Sequence, residues 1–344
     1  MIKSTKNLIK FLVMFLFIFK LVSMKIVVNG MEISGNIKTN TVWENNEVYV
    51  VNGLVVDAGA TLTIKAGTII KVKASTTITI NGSLLIEGTS DNFVYITSYL
   101  DDIGGDTNGD KNATIPQTGD WNRLVFSNGS SGNLNYTVIR YASRYDSAWN
   151  NNLANLEINN NVSININNSE ISYGRSGIRI NDLTGNVVIN NTNICDNNNG
   201  IHLENSNASI IGNTFNNNQN EAIFIKGSSD SVIKQNNFNQ AKVVLQDNAC
   251  GTHIESNNEN LLMIELISAN ISTDLTLQSL FPYVITNGIN IASGKTLNIE
   301  SGVIIKVKLA ITLSVNGTLN TNGKIDDFVY ITSYLDDIGG DTNG

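Results

Sequence analysis

The sequence predicts an all-β protein folded as a three-sided parallel β-helix with about 22–24 residues in each coil. Three observations predict it. Apolar pairs recur near every eighth residue, asparagines recur every 22 or 23 residues in the middle of the chain, and residues 48–109 return at 283–344. Short segments with a two-residue period are typical of β-strands, and three strands of about eight residues make one coil of about 24.

The apolar pairs define the strands of the first coils. Each pair alternates with Thr, Lys or another outward residue, and glycines or polar residues separate the pairs, which are Leu54/Val56, Leu62/Ile64, Ile70/Val72, Ile78/Ile80, Leu84/Ile86 and Val94/Ile96. With three strands in a coil, we expect Val56 to lie under Ile80 and Val72 to lie under Ile96.

Asparagines carry the same period through the middle of the chain. Asn168, Asn191, Asn213 and Asn236 are separated by 23, 22 and 23 residues. Three in-register strand segments, each preceded by a Gly or Ala that suits a tight corner, are Ile178–Ile180, Ile201–Leu203 and Ile223–Ile225. Stacked Asn side chains hydrogen-bond along the axis, so we interpret these asparagines as structural.

The long repeat shows that one unit is used twice. Of its 62 aligned positions 35 are identical, and the match of Phe93–Gly109 to Phe328–Gly344 is unbroken. The chain stops within the repeated motif, which predicts that it is a piece of a longer protein.

The first thirty residues have the features of a secretory signal peptide. Lys3, Lys6 and Lys10 precede nine uninterrupted apolar residues, Phe11–Phe19, and small residues follow. Nine are too few to span a bilayer, which needs about 20. We therefore expect a secreted or surface-associated protein without a stable membrane span after removal of the leader.

Four segments follow from these features. They are residues 1–30, the signal peptide; 31–130, an N-terminal cap and first coils with an Asp-rich loop; 131–255, Asn-rich coils; and 256–344, a second, truncated copy of the opening unit.

Charge and cysteine content limit the function. The formal charge of -8 becomes -13 when the five lysines of the acid-free leader are subtracted, which argues against a nucleic-acid partner. The two cysteines, Cys195 and Cys250, do not share a coil position, so we expect buried thiols and no disulfide.

Two stretches carry a family resemblance. The run GATLTIKAGTIIKVK, with TITINGSLLIEGTSDNFVYITSYLDDIGGDTNGD and GDWNRLVFS after it, resembles the opening coils of bacterial extracellular right-handed parallel β-helix proteins of the pectin-lyase-like superfold. The stretch NNTNICDNNNGIHLENSNASIIGNTFNNNQNEAIFI is similar to their Asn-rich repeats. The resemblance implies a right-handed helix but no single activity, since the superfold includes polysaccharide lyases, glycoside hydrolases, adhesins and surface-layer proteins.

The register predicts an outward patch on the central coils. One column of side chains would be Glu157, Arg179, His202 and Phe224, and the next would be Asn159, Asn181, Glu204 and Lys226. An aromatic ring beside charged groups suits a sugar-binding groove, so we predict ligand-binding roles for Glu157, Arg179, His202, Glu204, Phe224 and Lys226. The alternative is a solvated strand face whose opposite charges pair between coils.

The residue pattern favours binding over catalysis. A glycosidase needs two carboxyl groups about 5–9.5 Å apart, one with a raised pKa. Glu157 and Glu204 would lie about 10 Å apart along the axis, and Arg179 would lower a neighbouring carboxyl pKa. We therefore predict a non-catalytic carbohydrate or cell-surface binding protein, with a polysaccharide lyase or glycoside hydrolase as the first alternative and a structural spacer as the second.

A loop rich in Asp, Asn and Gly is a candidate structural calcium site. Oxygen ligands at alternating positions around glycine suit a cation that takes six to eight oxygens, and the candidate ligands are Asp101, Asp102, Asp106, Asn108 and Asp110. The alternative is a polar loop of turn-forming residues.

A basic and aromatic stretch opens the central coils. It contains Arg140, Tyr141, Arg144, Tyr145 and Trp149. We interpret it as a strand followed by a loop, with sugar or partner contact as the alternative.

Overall fold

The computed structural model describes residues 30–146, 151–182, 184–249 and 252–343. Nearly all of the candidate leader, and also Trp149 and Cys250, lie outside these residues. The regular structure of the described residues is β-strand, wound into a parallel solenoid of about 13 turns. None of these residues forms a helix with the length and hydrophobicity needed to cross a membrane. The predicted right-handed parallel β-helix is confirmed.

Three faces, named A, B and C in the order in which the chain crosses them, form the first unit. Strands β1 (Met31–Ile37) and β3 (Val48–Val56) each run from face A to face B, bending at Gly35 and Gly53, whose φ angles are 89° and 85°. Such positive φ angles are accessible to glycine without steric cost.

The remaining strands of the first unit stack in parallel on one of the three faces. Face A contains β5 (Ile69–Val72), β8 (Val94–Ser98), β11 (Thr137–Arg140), β16 (Glu170–Ser172), β19 (Asn193–Cys195) and β22 (Thr214–Asn216). Face B contains β6 (Thr77–Ile80), β9 (Arg123–Phe126), β14 (Leu156–Ile158), β17 (Ser176–Asn181), β20 (Asn199–Glu204), β23 (Ile223–Lys226), β25 (Val243–Gln246) and β27 (Ile264–Ile267). Face C contains β2 (Thr41–Trp43), β4 (Thr61–Lys65), β7 (Ser83–Glu87), β10 (Ser131–Asn135), β15 (Ser163–Asn167), β18 (Asn186–Asn190), β21 (Ser209–Ile211), β24 (Val232–Lys234) and β26 (His253–Ile254). A short antiparallel pair, β12 (Tyr145–Asp146) and β13 (Asn151–Asn152), projects between β11 and β14.

The predicted register is correct on face B and wrong at one point on face A. Val56 pairs with Ile80 as expected, but Val72 pairs with Ser98 and not with Ile96. The cause is a longer corner before β8, where Thr89 and Asn92 form an antiparallel bridge. This turn makes the coil two residues longer than predicted, so the partner of Val72 is the next inward-facing residue along β8.

Inward side chains fill the space between the faces. On face B the column Leu124, Leu156, Ile178 and Ile201 is fully buried. Each fully buried aliphatic side chain contributes roughly 1.5–3 kcal/mol by leaving water. The core is therefore continuous along the axis, as a solenoid requires.

A ladder of buried polar side chains follows the corner between faces C and A. Its rungs are Ser169, Thr192, Asn213, Asn236 and Asn258. Asn213 N donates to Asn236 Oδ1 at 2.9 Å, and Asn236 Nδ2 donates to Ile210 O at 2.9 Å. Each rung thus satisfies the backbone of neighbouring coils at a corner where strand pairing is interrupted.

Two asparagines expected in this ladder lie beside it. Asn168 and Asn191 precede the rungs Ser169 and Thr192 and have φ angles of 51° and 49°. The coil between the second and third rungs is one residue shorter than the spacing of Asn191 and Asn213. Thr192, and not Asn191, therefore lies over Asn213. Asn tolerates the left-handed conformation, so Asn at these positions serves the corner.

The second copy of the repeated unit enters rotated by one face. Its strands are β28 (Ala269–Ile271), β31 (Ile289–Ile291) and β34 (Leu313–Val315); β29 (Leu275–Leu277), β32 (Thr296–Ile299) and β35 (Thr318–Thr321); and β30 (Tyr283–Ile285), β33 (Ile304–Val307) and β36 (Tyr330–Ser333). In the first copy β5 and β8 lie on face A, but their counterparts β33 and β36 continue face B through β30 and β27.

We expect Asn236→Ala to lower the free energy of unfolding by about 3 kcal/mol, because it leaves Asn213 N and Ile210 O buried without partners. Urea unfolding followed by circular dichroism measures this loss. Asn165→Ala is the matched control, since Asn165 is an exposed Asn on face C and should change stability by about 0.5 kcal/mol or less. Equal losses in both variants would contradict a structural ladder.

Candidate functional site

The central coils bring the six predicted patch residues together on face B. Glu157, Arg179, His202 and Phe224 are consecutive partners in adjacent strands. Glu204 pairs with Lys226 in the neighbouring column. We call these six residues the face-B patch. Both columns agree with the register predicted from the sequence, because partner residues on face B are 22 or 23 positions apart here, as the pairs Glu157/Arg179 and Arg179/His202 show.

Ion pairs neutralise the carboxylates of the face-B patch. Glu204 lies between Lys226 and Arg179, with N–O distances of 3.1 and 3.6 Å. The hydrogen bond from Lys226 is the largest cause that lowers the pKa of Glu204. Glu157 pairs with Arg123 at 2.6 Å and is only 12% exposed. Glu204 is therefore charged at neutral pH, and both carboxylates are held in place by their ion pairs.

His202 is a neutral, half-buried imidazole. Its ring lies 4.7 Å from the ring of Phe224, with an angle of 33° between the planes. Burial, followed by the charge of Arg179, lowers the pKa of His202 from 6.5 to about 4. Its Nε2 atom is buried and has no hydrogen-bond partner. Buried polar atoms in proteins are nearly always hydrogen-bonded, so this Nε2 atom is a candidate for a contact with a ligand hydroxyl or a water molecule.

Sequence reasoning missed a second charged group on face B. Lys242 pairs with Glu265 at 2.6 Å, and Glu265 is only 6% exposed. Burial raises the pKa of Glu221, which the charge of Lys242 opposes and that of Glu265 reinforces. Glu265 continues the column of Phe224 through Val244, and Lys242 and Glu221 lie beside this column, just before β25 and β23. The predicted columns ended at Phe224 and Lys226 and so did not include these residues.

The acidic loop, residues 101–110, places three of its candidate ligands together. Single carboxylate oxygens of Asp102, Asp106 and Asp110 lie within 4.8 Å of one another. Asp106 accepts hydrogen bonds from Gly109 N at 2.7 Å and from Lys111 N at 2.9 Å, which closes the loop around these carboxylates.

The donor set fits a hard cation. Asn108 Oδ1 is buried without a hydrogen-bond partner and adds one uncommitted oxygen to the three carboxylates of the same loop. Asp101 stands apart, because Arg140 Nη2 pairs with its Oδ2 at 2.6 Å and Thr97 donates to the same oxygen at 2.5 Å. Calcium binding by the acidic loop stays a prediction. Without Asp101, its candidate ligands are Asp102, Asp106, Asn108 and Asp110.

A buried lysine supports the acidic loop from below. Lys71 is fully buried on face A and donates to Gly105 O at 2.6 Å. Burial lowers the pKa of Lys71, while the carboxylates of Asp101 and Asp102 oppose this change. The loop therefore has a cation of the chain itself as its anchor, and a metal would act in addition to it.

Arg140 and Tyr141 of the basic and aromatic stretch are packed at the corner between faces A and B. The guanidinium of Arg140 lies 5.6 Å from the Tyr95 ring and 5.3 Å from the Tyr141 ring. Tyr141 in turn stacks on Tyr173 of the next coil, a partner that the sequence did not indicate. Arg144 hydrogen-bonds to Ser75.

Cys195 is a buried free thiol, and burial raises its pKa to about 12. A thiol with so high a pKa is inert at neutral pH. This agrees with the structural role that the sequence favoured.

Comparison with known proteins identifies the first coils. Residues 35–144 match the family model described as the pectate-lyase like beta helix domain. Comparison with curated proteins gives no match, and neither does comparison with solved structures.

We expect stability to depend on the protonation of His202. Its pKa is about 4 in the folded protein against 6.5 unfolded, so the unfolded chain binds more protons between these values. Stability present above pH 6.5 is therefore lost as the pH falls towards 4, by about 3 kcal/mol in total. Urea unfolding across this range should show a smaller loss for His202→Phe, which keeps the ring on Phe224.

The imidazole proton signals of a nuclear magnetic resonance titration give an independent measurement. His253 is the other histidine of the chain and is exposed, so His253→Gln assigns the signals. A pKa of His202 near 6.5 would refute its burial in this form.

We expect calcium to raise the thermal midpoint of the parent protein. At a calcium concentration 100-fold above Kd the stabilisation is about 2.7 kcal/mol. Asp106→Asn removes one negative charge from the cluster of three carboxylates and should abolish the calcium-induced rise of the thermal midpoint. The matched control is Asp91→Asn, an exposed Asp outside the loop, which should keep the shift. The same midpoint with calcium and with a chelator in the parent would exclude the site.

Proposed function

Starting from its pectin-lyase-like parallel β-helix, we propose that this protein binds a polysaccharide or cell-surface glycan without cleaving it, through the face-B patch. The observation that carries the proposal is the His202–Phe224 ring pair, flanked within two coils by Arg179, Glu204 and Lys226. Aromatic rings stack on the apolar face of a pyranose, and fixed charges hydrogen-bond to its hydroxyls.

The geometry of the patch supports recognition through a preorganised surface. Glu204 is fixed by two cations, and Glu157 is fixed by Arg123. Because these groups already hold one another in place, little side-chain entropy is lost when they meet a ligand. The backbone beneath them consists of paired strands, a more rigid support than a loop.

The same ion pairs argue against general acid catalysis by the patch. A glycoside hydrolase needs one carboxyl group that is protonated near neutral pH. The hydrogen bond from Lys226 lowers the pKa of Glu204, which is the opposite of this requirement. With a pKa of about 4, His202 is neutral and a weak base.

We also propose that the protein acts outside the cell, secreted or attached to the surface. The support is the basic and apolar leader of residues 1–30 and the acidic mature chain. A polysaccharide or cell-surface glycan is the partner class consistent with this location.

A glycoside hydrolase is the second candidate function, and one observation favours it. Burial raises the pKa of Glu221, and the carboxylate of Glu265 lies close enough to add to this effect. Carboxyl groups with separated pKa values are the requirement for acid and base roles. Lys242 pairs with Glu265 at 2.6 Å and so holds that second carboxyl in place beside Glu221.

We expect Phe224→Ala and Arg179→Ala each to weaken glycan binding by at least tenfold, because each removes part of the contact surface. A glycan array identifies ligands, and calorimetry on the best ligand measures Kd. Matched controls on face C are Leu85→Ala and Lys65→Ala, which remove an exposed apolar and an exposed basic side chain and should leave Kd unchanged.

The same preparation tests the alternative. It is incubated with uronic and neutral polysaccharides, and reducing ends and unsaturated products at 235 nm are followed. Release of reducing ends without absorbance at 235 nm, abolished in Glu221→Gln, would replace the binding function by hydrolysis, and release of unsaturated products would replace it by a lyase activity. Parent-like Kd values for both patch variants would falsify the face-B patch as the binding surface.

A further inference from the structure

Four residues in equivalent positions follow the corner where face A ends and face B begins. They come directly after β11, β16, β19 and β22 and are Tyr141, Tyr173, Asp196 and Asn217, with φ angles of 64°, 53°, 55° and 53°. The left-handed conformation of this corner suits Asn, Asp and Gly, but it is unfavourable for a bulky side chain. The two tyrosines therefore occupy positions where a small polar residue would be less strained.

Strain of this kind points to a role for the side chains. Asp196 and Asn217 show that the corner forms with polar residues, so the fold does not require aromatic ones. Residues held in unfavourable backbone conformations are concentrated at ligand-binding and active sites. The same corner thus has two coils with rings followed by two coils with polar groups.

The rings of Tyr141 and Tyr173 form a flat surface, which we call the tyrosine ledge. Their centroids are 5.1 Å apart and their planes differ by 20°. Tyr173 is 40% exposed, so one ring of the stack faces solvent. Such an arrangement offers an aromatic face of the size that a pyranose ring covers.

Neighbouring segments hold the ledge in place. The guanidinium of Arg140 lies 5.3 Å from the Tyr141 ring. Asp120 N donates to Tyr141 O at 3.0 Å, and Thr118 Oγ1 donates to Tyr173 O at 2.9 Å. The loop before β9 therefore fixes the backbone on which both rings stand, and the ledge is preorganised.

The charge around the ledge selects the ligand class. The carboxylate of Asp196 is the largest cause that raises the pKa of Tyr173, and Glu170 adds to it. Asp196 Oδ1 accepts from Asn217 Nδ2 at 3.2 Å, so hydrogen-bonding groups border the rings. Arg140, the cation 5.3 Å from the Tyr141 ring, is already paired with Asp101. Acids beside an aromatic face disfavour a uronate and suit a neutral or amino sugar.

We infer that the tyrosine ledge is a glycan-binding subsite for neutral or amino-substituted hexopyranoses, with Tyr173 stacking on the sugar ring and Asp196 and Asn217 bonding its polar groups. The ligand class of this inference rests on the proposed function, but the residues of the tyrosine ledge are different from those of the face-B patch. Two residues separate Tyr173 from the start of β17, which carries Arg179, so the ledge lies at the corner that leads into face B.

Substitution by asparagine tests the ledge without changing the corner. Tyr173→Asn installs the residue that Asn217 already provides at the equivalent position of a later coil. We expect calorimetry with chitohexaose and cellohexaose to show at least a tenfold weaker Kd for at least one of them, at an unchanged thermal midpoint. Tyr173→Phe keeps the ring and should bind within about threefold of the parent.

The matched control is Tyr136→Asn. Tyr136 also has a positive φ, 47°, but it lies at the other corner and packs edge-on against Phe93, 5.5 Å between centroids. This variant removes an equivalent ring outside the ledge, and we expect it to bind both oligosaccharides as the parent does. A loss equal to that of Tyr173→Asn would overturn the ledge.

The outcomes separate the ledge from the face-B patch. If Phe224→Ala weakens binding and Tyr173→Asn does not, the ledge is wrong and the patch stands. If Tyr173→Asn weakens binding and Phe224→Ala does not, the ledge stands alone. If neither oligosaccharide binds the parent, or if hexagalacturonate binds more tightly than both, the inferred ligand class is wrong.

Discussion

Each coil of this protein depends on its neighbours for the hydrogen bonds of its strands. A strand on one face is paired with the strand above and the strand below, about 4.8 Å away, and with nothing in its own coil. Side chains at equivalent positions are therefore stacked whether they point inward or outward. The apolar column through Ile178, the polar ladder through Asn236 and the face-B patch through His202 are three results of this one constraint.

The period of the sequence predicted these columns, but it did not predict where a corner of different length changes the register. Nearly constant spacing between the face-B strands placed Glu157, Arg179, His202 and Phe224 in register, and all three pairings are as predicted. The register was lost where a corner changed length, because spacing alone cannot show a turn such as the one at residues 89–92.

For a similar reason, the sequence did not predict side-chain contacts between columns or contacts made by loops that fold back over a face. Arg123 reaches Glu157 diagonally from one coil earlier, and Arg140 reaches Asp101 across 39 positions because the acidic loop returns over face A. The repeat gives the stacking direction, whereas these contacts depend on side-chain conformation and on the path of long insertions. The polar ladder was misplaced by one residue at Asn191, where a shorter coil changes the partner to Thr192.

The rotated second copy has a consequence for how such a protein evolves. Lys71 and Lys306 are equivalent in the duplicated sequence, and each is fully buried and hydrogen-bonded to a loop carbonyl, Gly105 or Gly340. Lys71 nevertheless belongs to face A, whereas Lys306 continues the outward column of Phe224. Duplicating a segment whose length is not a whole number of coils copies its local chemistry and points that chemistry in a new direction. Inheritance of sequence here is separate from inheritance of orientation, so a solenoid can diversify its sides by duplication before a single residue is substituted.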